Sequence, residues 1–157
     1  MKKIKWKTLI IAVAIPLLTG TIAGLLTAEN TAYFSLLEKP PLSPPGWLFP
    51  VVWTLLYTLM GIASYFIIES ESETSEKIGA LKVYFLQLSF NFLWSIFFFN
   101  LELYAFSFIW LLTLLFLIIQ TTLKFRKIDT RAELLMLPYI AWVSFAGYLN
   151  LGIALLN

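Results

Sequence analysis

An all-α membrane protein, a five-transmembrane-helix bundle with its N-terminus cytoplasmic and its C-terminus outside, is predicted by three features: apolarity, five long uncharged runs and one-sided basic residues. Of the 157 residues, 60% are hydrophobic and 13% charged, whereas a soluble globular domain carries roughly 25% charged residues. So few charges cannot coat a water-facing surface of ordinary size, which makes lipid the solvent for most of the chain. The uncharged runs are Thr8 to Ala28, Trp47 to Ile68, Val83 to Leu101, Leu103 to Leu123 and Leu134 to Asn157. About 20 residues at 1.5 Å rise cross a hydrocarbon core of roughly 30 Å, and each run is of that length. One transmembrane domain over 1–157 is expected, with helices at about 8–28, 47–68, 80–101, 103–124 and 132–156 and a long outer lid loop at 29–46.

Orientation follows from the positive residues, which cytoplasmic loops retain. Lys2, Lys3, Lys5 and Lys7 precede helix one; Lys77 and Lys82 flank the second connection; Lys124, Arg126, Lys127 and Arg131 surround the fourth. Only Lys39 falls on the other side. The net charge of +2 therefore carries no signal for nucleic acid. The first run exceeds a signal-peptide core of about 7–15 apolar residues, so it is expected to stay as a helix, in a multi-pass protein of a cell membrane, for which the short lysine-rich start suggests a bacterial plasma membrane.

Helix one places Gly20, Gly24 and Ala28 four residues apart, a small-residue face that serves either a dimer seam or packing within the bundle. Pro16 reads as a tolerated kink. The loop holds "KPPLSPPGWLFPVVW", Lys39 to Trp53, with five of the seven prolines of the chain. Pro40, Pro41, Pro44 and Pro45 stiffen it at small cost, and Pro50 falls in the first turn of helix two, where proline is tolerated. Glu69 to Lys77, "ESESETSEK", reads as a solvated acidic linker, and Asn100 to Glu102 as a tight hairpin between helices three and four.

Polar and aromatic residues converge in the outer half. Helix two aligns Phe49, Trp53 and Tyr57 on one stripe; helix three aligns Gln87, Asn91, Trp94 and Phe98; helix five places Tyr139, Trp142, Phe145, Ala146 and Leu149 along a broad face after Pro138. Asn91 lies near mid-membrane, where an amide needs a protein partner or a cavity. A belt at the membrane surface accounts for Trp6 and Trp47 but not for Trp53, Trp94 and Trp142, which sit inside the hydrocarbon layer. A concave apolar site lined by rings with a few polar groups suits a flat hydrophobic ligand.

Cysteine and histidine are both absent, which removes disulfides, thiolate nucleophiles, conventional zinc sites and histidine-ligated haem. No metal site, required cofactor or ordinary catalytic centre is expected.

Three segments, "KPPLSPPGWLFPVVWTLLYTLMGIASY", "LQLSFNFLWSIFFF" and "PYIAWVSFAGYLN", carry a resemblance to the tryptophan-rich sensory protein and translocator protein family, also known as peripheral-type benzodiazepine receptors, and in particular to its bacterial members. The resemblance covers all five helices. It implies a homodimeric bundle that binds protoporphyrin, other tetrapyrroles and isoquinoline-type drugs beneath the loop. The implied pocket residues are Trp53, Asn91, Trp94, Trp142, Phe145, Ala146 and Leu149, with Tyr33 and Trp47 at the lid. It further implies light- and oxygen-dependent degradation of protoporphyrin, with Trp53 and Trp142 as participants. Two departures stand out: Leu42 replaces a lid tryptophan found in many relatives, and no basic residue follows Tyr148, as the sterol pattern of mammalian members requires. A tetrapyrrole transporter or sensor without chemistry, and a structural scaffold whose rings only pack, are the competing readings.

Overall fold

The computed structural model describes residues 3–157; Lys2, counted above among the basic residues, lies outside them. Five helices occur in order: α1 (Trp6–Phe34), α2 (Leu48–Ile68), α3 (Thr74–Ser95), α4 (Tyr104–Ile128) and α5 (Thr130–Leu156). A π-helical turn, Ile96–Asn100, extends α3. All five, with α3 and its extension taken together, are long and apolar enough to cross a membrane, and among the described residues there is no strand.

The helices close in the order α1–α2–α5–α4–α3, and α3 returns against α1. Neighbours are antiparallel except α3 and α1. Among the described residues α1 and α5 make no backbone contact across the ring, with α2 between them. Gly61 brings α1 and α2 together: a Cβ there would fall on the Val13 backbone and within 2.8 Å of the Ala12 carbonyl oxygen. Leu18, Ile22, Leu25 and Leu26 of α1 stay exposed, as lipid-facing side chains do.

Four boundaries differ from expectation. Helix α1 was expected to stop at 28 but runs to Phe34, because Ala28 to Phe34 contains no glycine or proline and is held from outside. Asn30 Nδ2 donates to Asn100 Oδ1 at 2.8 Å, and Asn100 Nδ2 to the Leu26 carbonyl at 3.0 Å. The loop is thus confined to 35–47, and Tyr33, expected in the lid, is helical. Helix α3 starts at Thr74 rather than near 80, so half of the acidic linker is helix. Lys77 Nζ donates to the carbonyls of Ile68 and Ser70 at 2.9 and 3.0 Å, closing the end of α2 where carbonyls lack partners. Helix α4 gains a turn to Ile128 and α5 starts at Thr130, around Asp129, whose carboxylate accepts from the Arg131 backbone N–H at 2.8 Å, an N-cap.

The loop is docked. Tyr148 donates its hydroxyl proton to the Pro41 carbonyl at 2.7 Å, and Asn157 Nδ2 donates to the Glu38 carbonyl while its Oδ1 accepts from the Glu38 N–H, at 2.9 and 3.0 Å. Pro40 is buried against Gly152, where any Cβ would collide with its ring. Leu42 turns the chain with φ of 67°, a left-handed conformation costly for a branched side chain, and projects away from the protein.

Candidate ligand-binding cavity

A cavity of about 660 Å³ opens between α1, α2, α5 and the end of α3, at the loop end of the bundle. Ligand sites typically span about 300–1,000 Å³. Its rings arrive from three elements. Helix α2 supplies Phe49, Trp53 and Tyr57 at helical spacing; the end of α3 supplies Trp94, Phe98 and Phe99; and α1 closes one side with Phe34. Trp53 stacks on Tyr57 at 5.4 Å and meets Tyr139 edge-on at 6.2 Å. Trp94 stacks on Phe98 at 5.3 Å, and Phe34 bridges Phe98 and Phe49 at 6.1 and 6.0 Å. The π turn inserts the extra residue that lets consecutive phenylalanines diverge: Phe98 points inward while Phe97 packs on Trp110 at 4.9 Å. Such turns often mark functional sites.

Two polar networks hold these rings from behind. Tyr57 donates to Asn91 Oδ1 at 2.6 Å, Asn91 Nδ2 donates to the Tyr139 oxygen at 2.8 Å, and Tyr139 donates to Gln87 Oε1 at 2.9 Å. Nearer the loop, Trp94 Nε1 and Ser107 Oγ donate to Asn150 Oδ1 at 3.0 and 3.1 Å, while Asn150 Nδ2 donates to the Tyr104 carbonyl at 2.8 Å. Buried polar groups cost free energy unless paired, so these bonds fix the orientations of Trp94 and Tyr57. None of the lining side chains is charged. The lining hydroxyls of Thr21, Thr27, Thr31 and Thr54 donate back to carbonyls of their own helices, leaving an apolar chamber.

Of the residues expected at the site, Phe49, Trp53, Tyr57, Trp94, Phe98, Ala146 and Leu149 line this cavity together. Asn91 stands one hydrogen bond behind the wall. Trp142 does not reach it: its ring lies edge-on to Phe49 at 5.8 Å, which screens it, and its Nε1 is buried without a partner among the described residues. Phe145 is one residue, about 100° of helix rotation, from Ala146, and packs between Trp142 and Tyr148 at 5.7 and 6.1 Å. Tyr33 and Trp47 are exposed and contribute no wall. Sequence reasoning missed the α1 side, Leu17, Gly20, Gly24 and Thr27, as well as Asn150. The four-residue spacing of Gly20 and Gly24 was the available signal: Gly20 makes room for the Tyr57 ring, and Gly24 borders the chamber.

Residues 12–156 match the sequence model of the TspO/MBR family. The chain is 34% identical to the "Tryptophan-rich protein TspO" of Chlorobaculum tepidum over 151 residues, 96% of each chain. It is 36% identical to the protein of that name from Archaeoglobus fulgidus, over 95% of this chain and 96% of the relative. The "Translocator protein" of Homo sapiens is 31% identical over 78% of this chain and 73% of its own length. Five membrane-length helices, the aromatic chamber and these near full-length matches agree: the chain is a multi-pass membrane protein of the TspO/MBR family.

Proposed function

We propose that the chamber binds tetrapyrroles, protoporphyrin first among them, together with other flat hydrophobic ligands such as isoquinoline-type drugs. The observation that carries this reading is an uncharged cavity of about 660 Å³ walled by Trp53, Tyr57, Trp94 and Phe98. Aromatic faces offer a broad π ligand offset-stacked and edge contacts, and such binding does not depend on an iron ligand. The cell membrane is the expected location, with the lysine-rich end cytoplasmic by the positive-inside rule. A homodimer is expected from the family, and the exposed apolar surface of α1 is available to it.

The same arrangement supports light- and oxygen-dependent loss of protoporphyrin. The ligand supplies the chemistry, as cofactors do: excited porphyrin passes its energy to dioxygen, which adds across a methine bridge; that carbon–carbon bond then breaks to two carbonyls. Both oxygen atoms come from dioxygen, so no outside reductant is needed. Trp53 faces the ligand directly and is placed to quench or intercept the reactive species. Trp142 acts behind Phe49, so its effect is the smaller. Carriage or sensing of tetrapyrroles without chemistry is the second reading; the absence of charge in the lining argues against ion-coupled transport.

Titration of protoporphyrin against tryptophan fluorescence in detergent, followed by illumination with and without oxygen, separates them. Wild type is expected to bind saturably and to accelerate oxygen-dependent bleaching, with Trp53→Phe slowing it more than Trp142→Phe. Saturable binding with bleaching no faster than free porphyrin would leave carriage or sensing; no saturable binding would leave a scaffold.

A further inference from the structure

The chain of hydrogen bonds behind Tyr57 begins on the cavity wall and ends at an amide nitrogen with nothing to donate to. Asn91, Tyr139 and Gln87 are all at most 1% exposed, so none of their polar groups can turn to solvent. At the far end Gln87 Nε2 lacks a partner among the described residues.

Every link of this chain is reversible. Rotating an amide by half a turn exchanges its C=O and NH2 ends, and a hydroxyl donates to whichever acceptor it is offered. With both amides turned, Gln87 Nε2 donates to Tyr139, Tyr139 donates to Asn91 Oδ1, Asn91 Nδ2 donates to the Tyr57 oxygen, and the Tyr57 proton is released toward the cavity. Gln87 Nε2 then has an acceptor in the Tyr139 hydroxyl. A buried donor left unpaired is costly, so the reversed direction is favoured whenever the cavity supplies an acceptor for Tyr57.

We infer that Gln87, Tyr139 and Asn91 form a relay that sets the hydrogen-bond polarity of the cavity, presenting Tyr57 as a donor and selecting flat hydrophobic ligands that carry an acceptor such as a carbonyl, carboxylate or bare ring nitrogen. The inference rests on the chamber being the ligand site proposed above. Gln87 and Tyr139 do not line the cavity; they are positioning residues acting through Asn91 and Tyr57.

Three tricyclic probes of matched shape test it in the full-length protein in detergent, with affinities read from tryptophan fluorescence: fluorenone, which carries a carbonyl acceptor; carbazole, which carries an N–H donor; and fluorene, which has neither. Wild type is expected to bind fluorenone roughly 2- to 10-fold more tightly than fluorene, the span of one neutral hydrogen bond, and to shift its carbonyl stretch to lower wavenumber. Tyr57→Phe should abolish both the preference and the shift, so that fluorenone and fluorene bind this variant equally. Gln87→Leu should keep the preference for fluorenone, because Tyr139 is then left only Asn91 Oδ1 to donate to; Tyr139→Phe should weaken it. Equal affinities for the three probes, tighter binding of carbazole, or a preference that survives Tyr57→Phe would overturn the relay and leave the ligand site standing. Failure of all three probes to bind saturably would refute the ligand site itself.

Discussion

The two ends of the bundle are built from similar residues and pack in opposite ways. At the lysine-rich end Met60, Ala63, Ile67, Ala80, Phe125, Ala132 and Met136 are almost wholly excluded from the surface, and Tyr84 stacks on Phe125 at 5.8 Å. At the loop end rings of the same kinds wall an open chamber. The difference lies in what faces the rings. In the packed half alanines and Gly61 allow backbones to approach, as small residues do between membrane helices. In the open half the rings of α2 and of the end of α3 face Gly20, Ala23, Gly24 and Ala146 across the chamber, and these small residues leave its volume unfilled.

One substitution at two glycines gives the widest separation between the halves. Gly61→Leu drives a side chain into the α1 backbone and is expected to cost about 3 kcal/mol, the upper end for overpacking, measured by unfolding in detergent. Gly24→Leu meets nothing within 4 Å at its first carbon. Its stability should stay within about 1 kcal/mol of wild type, helped by the better helix propensity of leucine, while ligand affinity falls by an order of magnitude as the side chain enters the chamber. Equal destabilisation at both positions would remove the distinction.

Asn150 tests whether the open half is held by polar bonds rather than by packing. Asn150→Leu leaves Trp94 Nε1 without a partner, while the Ser107 hydroxyl and the Tyr104 carbonyl keep each other at 2.9 Å. A loss of about 2 kcal/mol is expected, within the range for an orphaned buried group, with Trp94 emission altered by its freed N–H. Tyr148→Phe is milder: it removes the hydroxyl that holds the Pro41 carbonyl. It should cost about 1 kcal/mol or less and speed ligand release, with little change in the packed half.

The helix count was legible because hydrophobic length is a local property of the chain. The α2 and α3 stripes were legible for the same reason, since Phe49, Trp53 and Tyr57 obey helical spacing wherever the helix is placed. The extent of α1 was not: its apolar run ends at Ala28, but the helix is carried to Phe34 by a contact between Asn30 and Asn100, seventy residues apart. The cavity face of α5 was legible at Ala146 and Leu149 but not at Trp142, because periodicity assigns a face and cannot tell which ring of another helix stands in front of it. The reversible relay was half visible: Gln87 and Asn91 share a stripe on α3, yet Tyr139 and Tyr57 join it only through the α2–α5 contact.

The smallest expected effect lies outside the membrane-spanning segments, at the lysine-rich end. Lys5 Nζ lies 2.7 Å from Glu69 Oε2, joining the start of α1 to the end of α2. The hydrogen bond from Lys5 is the main cause that lowers the Glu69 carboxyl below the ordinary carboxylate range, and the same bond to Glu69 raises the Lys5 ammonium above its ordinary value. A lowered carboxyl favours the folded state above its unfolded value and loses that contribution as pH falls through the folded one; a raised ammonium favours it below its unfolded value and loses it as pH rises through the folded one. The pair therefore contributes over the neutral range and fades at both extremes. The Lys5 side chain is exposed and that of Glu69 half-buried, so salt screens the pair in part. Glu69→Gln should flatten the acid side of the stability profile by a small, salt-sensitive amount and leave cavity affinity unchanged, because the pair ties α1 to α2 at the opposite end from the chamber. A matching loss of ligand affinity would show that the closely packed half transmits strain to the open one.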